Sequence, residues 1–268
     1  MRWAGPESRL PAWDGVPERY AAAVFTAEDR ERVRSRLLGW ARADKLITGA
    51  AITGSGAFES EDEWSDIDLV FGIEGAEPMT VLSDWTGRLQ REFDAFDLFD
   101  LRSGATIYRV FLLPIGLEVD LAVAPAAEFG PLGPHFRTVF GESVDRPRQP
   151  GSSPSHLVGL ACHHALHARA CIERGKVWQA EHVLHNLRDH IAALACSRLG
   201  LESFFGRELD RLPAEVTVPL TGALAKSVDA SELRRALSAA VQCLLVEIRD
   251  VEPGLAVKLE PVLREVDR

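Results

Sequence analysis

The feature that most limits how this chain can fold is a change of apolar period near residue 150. Before it, short apolar or alternating runs are separated by Gly and Pro: residues 44–53 (DKLITGAAIT), 66–73 (DIDLVFGI), 96–101, 105–113 (ATIYRVFLL) and 116–124 (GLEVDLAVA). Runs of that length and spacing read as strands. Two helical stretches belong with them, one from about Glu18 to Arg42 and one from about Met79 to Phe93. Residues 125–153 are rich in Pro and Gly and read as a crossover and linker. From Ser155 onward the pattern is helical: to Arg174, then Trp178–Arg198, with shorter helices at 213–227, 230–249 and 255–266. The expected organisation is an α/β domain over 1–150 followed by an all-α bundle over 151–268.

A length of 268 residues suits two such domains and buries enough surface to fold without disulfides. The formal charge of −10 argues against extended nucleic-acid contact, which calls for a basic surface, and suits cationic small substrates such as amino sugars. Cys162, Cys171, Cys196 and Cys243 lie in apolar helical contexts without a CxxC pair, as reduced thiols of a cytoplasmic protein do. The first residues lack the apolar core of a signal peptide, and no apolar run approaches the roughly 20 residues of a membrane span. The expected location is the cytoplasm, as a monomer or homodimer.

Chemistry concentrates in Thr53-Gly54-Ser55, ten residues of spacer, Asp66-Ile67-Asp68-Leu69, and later Glu118-Val119-Asp120-Leu121. Asp66 and Asp68 are two apart on an expected strand, so they share a face while Ile67 and Leu69 point to the core. Asp120 alternates in the same way on a second strand. If the two strands are neighbours, three carboxylates converge, and such a cluster needs cations to stay ionised. Mg²⁺ takes hard oxygen ligands of this kind. Gly54 permits close backbone approach, and the turn it opens, with the Ser55 hydroxyl, suits phosphate oxygens. The acidic stretch Glu59–Glu63 reads as a solvated loop edge.

This ordered set resembles the DNA polymerase β-like nucleotidyltransferase superfamily over residues 45–125. The resemblance implies an α/β (α+β) catalytic domain with a small mixed sheet and helices on one side. It implies Asp66, Asp68 and Asp120 as ligands of Mg²⁺ (two ions), NTP as co-substrate, and Ser55 at the terminal phosphates. Gly175-Lys176-Val177-Trp178-Gln179-Ala180-Glu181 and Leu187-Arg188-Asp189 resemble the helical domain of bacterial aminoglycoside and lincosamide nucleotidyltransferases. By that resemblance Lys176 reaches the triphosphate, Trp178 stacks on a ring, Arg188 belongs to the nucleotide site and Glu181 faces the acceptor. Trp178 as bundle core, and Arg188 with Asp189 making structural contacts alone, are the alternatives left open.

The implied activity is transfer of NMP, AMP above all, from NTP to a hydroxyl of a small molecule such as an antibiotic. A protein or RNA acceptor, or a non-catalytic antitoxin-like partner, is the alternative. Glu181 is the first candidate for general base, with Asp120 and Glu118 behind it. His163, His164, His167, His182 and His185 have helical spacing but no HExxH and no paired cysteines, so they read as solvent-facing or hydrogen-bonded helix residues and not as a zinc site.

Overall fold

The computed structural model describes residues 25–58, 61–146 and 151–266. The chain divides into two compact units, Met1–Gln149 and Pro150–Arg268, each with its own apolar core.

The first unit is built on β1 (Ile47–Thr53), β2 (Ile67–Ile73), β3 (Phe96–Ser103), β4 (Thr106–Leu112), β5 (Glu118–Pro125) and β6 (Phe136–Phe140), with helices α1 (Ala27–Ala43) and α2 (Pro78–Phe93). The strands form one six-stranded sheet in the order β3-β4-β5-β2-β1-β6. Among the described residues only β2 and β5 run parallel; every other pairing is antiparallel, so the sheet is mixed. Parallel neighbours need a crossover, and α2 with the β3–β4 hairpin supplies it.

Thr26 caps α1 in a reciprocal capping box with Asp29. The expected start at Glu18 lies outside the described residues. Both helices pack on one face of the sheet. Leu69, Phe71, Phe111 and Leu121 meet Leu37, Leu82 and Trp85 there, all at most 1 % exposed. The ring of Trp85 lies 4.7 Å from Phe71 and 5.9 Å from Trp40. The opposite face is covered at one end by Phe129, whose ring lies over Gly49 and Gly72; a Cβ at Gly72 would stand 2.7 Å from it.

β6 lies inside the stretch read as a linker. Its FRTVF run is short, bracketed by Gly and Pro, and half-exposed, which masks a strand whose main signal is pairing with β1.

The second unit contains α3 (Pro154–Glu173), α4 (Val177–Leu199), α5 (Ala214–Gly222), α6 (Ala230–Val251) and α7 (Pro253–Val266). Here α6 runs two residues beyond the expected 230–249. Ala161, Ala165, Ala168, Ala236 and Ala240 are fully buried, and such small side chains let α3, α4 and α6 approach closely. The buried Glu247 carboxylate of α6 accepts two hydrogen bonds from Arg198 of α4, at 2.9 and 3.0 Å. The architecture is therefore a mixed α/β unit followed by an all-helical one. Among the described residues no helix is long and apolar enough to cross a membrane. All four cysteines are free thiols, three buried and Cys162 half-buried.

Candidate active site

Because β2 and β5 are parallel neighbours, their register decides which side chains stand together. Asp68 lies directly opposite Asp120, with Ile67 against Val119 and Leu69 against Leu121. The apolar residues of both strands face the helices, so the two aspartates share the other face. Asp66 lies one residue before β2, and Glu118 opens β5.

The electrostatics follow from this crowding. Asp120 is largely buried and its Oδ1 has no hydrogen-bond partner among the described residues. Burial first, then the charges of Asp66 and Glu118, push its pKa up from 3.8 to about 6. Burial and Asp66 push Glu118 up as well. An acidic oxygen without a donor, beside a second carboxylate in register, is a donor set suited to a hard cation. Among the described residues no group of three or more His, Cys, Asp or Glu is drawn together tightly enough to enclose a metal. Mg²⁺ requires only one or two protein carboxylates, the remainder coming from water and phosphate, so the Asp68–Asp120 pair fits it.

A 3-10 turn, Gly54–Phe58, follows β1. Gly54 has φ +60°, and a Cβ there would stand 1.9 Å from Asp68 Oδ2. Glycine is thus required twice, for the left-handed backbone and for the approach of the carboxylate. Ser55 lies in this turn. Arg137 of β6 donates from Nε to the Ala57 carbonyl (3.2 Å) and from Nη2 to the Gly56 carbonyl (3.1 Å), clamping the turn.

The segment before Asp66 is held just as firmly. Arg30 Nη1 donates to the carbonyls of Asp62 (2.6 Å) and Ser65 (2.9 Å), while its Nε lies 3.4 Å from Glu61. Arg34 forms a two-pronged pair with the same Glu61 carboxylate. Both arginines are at most 6 % exposed. Glu61 is therefore a half-buried anchor, not the edge of a solvated loop; Glu59 lies outside the described residues. Arg30, Arg34 and Arg137 were not singled out from sequence. The available signal was Arg30 and Arg34 falling on the apolar stripe of α1 with Val33 and Leu37.

The remaining candidates lie on α4. Lys176 caps the helix and is exposed. Trp178 is 75 % exposed and takes no part in the bundle core. Arg188 lies 3.4 Å from Glu181 and donates to the Ala223 carbonyl at 3.3 Å, while Asp189 lies 3.4 Å from His185. Arg188 thus turns to Glu181 and Asp189 to His185.

The histidines form a chain of rings on α3 and α4: His167 to His163 at 4.9 Å, His163 to His164 at 5.4 Å, His164 to His190 at 5.0 Å. His164 Nδ1 is buried without a partner among the described residues, so this ring is neither solvent-facing nor hydrogen-bonded at that atom.

No protein-family model and no curated protein matches the sequence. Among solved structures the chain is similar to an aminoglycoside 6-adenyltransferase from Bacillus subtilis. The match has 11 % identity and a TM-score of 0.38, over 88 % of this chain and 98 % of that one. Values that low leave function to be argued from the site.

Proposed function

We propose that this protein is a Mg²⁺-dependent nucleotidyltransferase that moves NMP from NTP to a hydroxyl of a small molecule. The observation that carries this reading is the in-register Asp68–Asp120 pair, with Oδ1 of Asp120 buried and unpaired and the Gly54 turn closed against Asp68. In this reading Asp68 and Asp120 hold Mg²⁺, with Asp66 beside them. Bound there, Mg²⁺ neutralises triphosphate charge. The Gly54–Ser55 turn receives the terminal phosphates. The base that takes the proton of the attacking hydroxyl is assigned by substitution, Glu181 first and Glu118 after it.

Incubation with labelled NTPs, Mg²⁺ and a panel of aminoglycosides and lincosamides tests the reading. Labelled acceptor is expected from the native protein, and none from Asp68→Asn, which keeps the shape but loses an anionic ligand. Equal rates in the two proteins would refute the metal assignment. Glu181→Gln is expected to bind NTP normally and lose about 10²–10⁴-fold in kcat. If Glu118→Gln shows that loss instead, the base is Glu118.

A further inference from the structure

The residue row that contains the carboxylate pair continues across the sheet to its edge. Asp68 stands opposite Asp120, Asp120 opposite Val110, and Val110 opposite Phe99. The next row runs Val70, Ala122, Tyr108, Leu101, and on the other side Glu118 meets Leu112. Residues opposite one another share a face, so Phe99, Leu101 and Leu112 lie on the face of the carboxylates. The charged residues of β3 lie on the other face, that of the helices. Asp97, Asp100 and Arg102 stand opposite Phe111, Arg109 and Ile107; Asp100 is paired with Arg109, which also donates to Thr86 of α2. The edge strand thus inverts the usual polarity, with charges toward the helical layer and apolar side chains toward the face of the carboxylates. Phe99 is 52 % exposed, Leu101 54 % and Leu112 36 %.

We infer that Phe99, Leu101 and Leu112 form the shelf that receives the body of the acceptor, and that this acceptor is a hydroxyl compound with an apolar, ring-bearing body. The inference rests on the nucleotidyltransferase reading and names the substrate class of that site. With strands about 4.8 Å apart, Phe99 lies about 10 Å from the row position of Asp120, the length of a two-ring molecule whose hydroxyl reaches the carboxylates. With Phe96, which stands opposite Leu112 and is 51 % exposed, four half-exposed side chains offer an apolar area on the order of a few hundred Å². That is enough for a small ligand and well short of the roughly 800 Å² per partner of a stable protein interface.

The test uses the full chain and the double variant Phe99→Thr/Leu101→Thr, which keeps strand-forming residues on an exposed edge. Two binding measurements are made: Mg–ATP by equilibrium dialysis, and the neutral dye N-phenyl-1-naphthylamine by fluorescence. Transfer from labelled ATP is then compared between 2-naphthaleneethanol and an aminoglycoside. The expected result is unchanged Mg–ATP binding, at least 10-fold weaker dye binding in the variant, and a KM for the naphthyl alcohol raised by a similar factor. Equal dye binding in both proteins with Mg–ATP bound normally overturns the shelf alone. So does a preference for the aminoglycoside that the variant retains, or a native dimer that the substitutions dissociate. Failure of the native protein to bind Mg–ATP overturns the nucleotidyltransferase reading, and the acceptor assignment with it.

Discussion

Gly54 shows how one residue ties backbone to chemistry. Its φ of +60° costs any L side chain about 1–2 kcal/mol, and its missing Cβ leaves the space that Asp68 Oδ2 occupies. Gly75 also has a positive φ, +75°, but nothing lies within 4 Å of where its Cβ would stand. The two positions separate strain from function. Gly54→Ala and Gly75→Ala are both expected to lower the urea midpoint by a comparable amount. Only Gly54→Ala is expected to weaken Mg²⁺-dependent NTP binding, by about tenfold or more, since only there is a carboxylate displaced. Equal NTP affinity in both variants would detach the turn from the site. That Asp68 and Asp120 lie on the face away from the helices was legible in sequence, because alternation with Ile67, Leu69, Val119 and Leu121 assigns each a face locally. That Asp68 is level with Asp120 was not, because the register of β2 on β5 depends on the α2 crossover and the hairpin between them.

Elements carry a second layer of support that charge patterning concealed. Helix α1 buries Arg30 and Arg34 on its apolar stripe, and each needs an anion there. Glu61 supplies it, and the Asp62 and Ser65 carbonyls complete the shell around Arg30. In sequence, Glu61 is one member of an acidic run, and no local rule separates the anchoring carboxylate from its solvated neighbours. Strand β6 was hidden for a similar reason, since its value lies in the β1 ladder and in Arg137, which clamps the Gly54 turn. Glu61→Ala leaves the nearly buried Arg30 without its counter-charge and Arg34 with only the exposed Glu31, 3.3 Å away. The expected loss is about 2–3 kcal/mol, below the 3–5 of a fully buried pair because Glu61 is 18 % exposed. Urea unfolding measures that loss. A parallel rise in the Mg²⁺ concentration needed for turnover is expected, because the anchored segment leads directly into Asp66. A variant that lost stability yet kept its Mg²⁺ dependence would make the anchor a matter of folding alone.

At the scale of the whole molecule, the two units are expected to answer acid in opposite directions. In the first, Asp120 titrates at about 6 in the folded state against 3.8 for an ordinary aspartate, so the fold binds the proton more tightly than the unfolded chain does. That stability is fully present below 3.8 and is lost as pH rises through 6. Bringing the pH from 7.5 to 5 therefore returns about 1 kcal/mol, roughly one pKa unit of the shift. Glu118, also pushed up, acts with the same sign. In the helical unit, burial and the neighbouring rings push His164 below 6.5, and burial does the same to His190. A depressed histidine favours the fold while neutral, so stability is present above 6.5 and is lost as pH falls below it. The carboxylates held low by arginine partners, such as Asp100 and Glu260, titrate beneath this window and do not interfere. Separate cores are expected to melt as separate transitions. Scanning calorimetry in EDTA should then show one transition rising and one falling between pH 7.5 and 5. Asp120→Asn should cut the rise back to the smaller part that Glu118 supplies and leave the fall, because the amide removes the proton-binding difference of Asp120 while His164 and His190 keep theirs. Two transitions moving together, or a rise undiminished in Asp120→Asn, would mean that the buried carboxylate does not govern the acid response of the first unit.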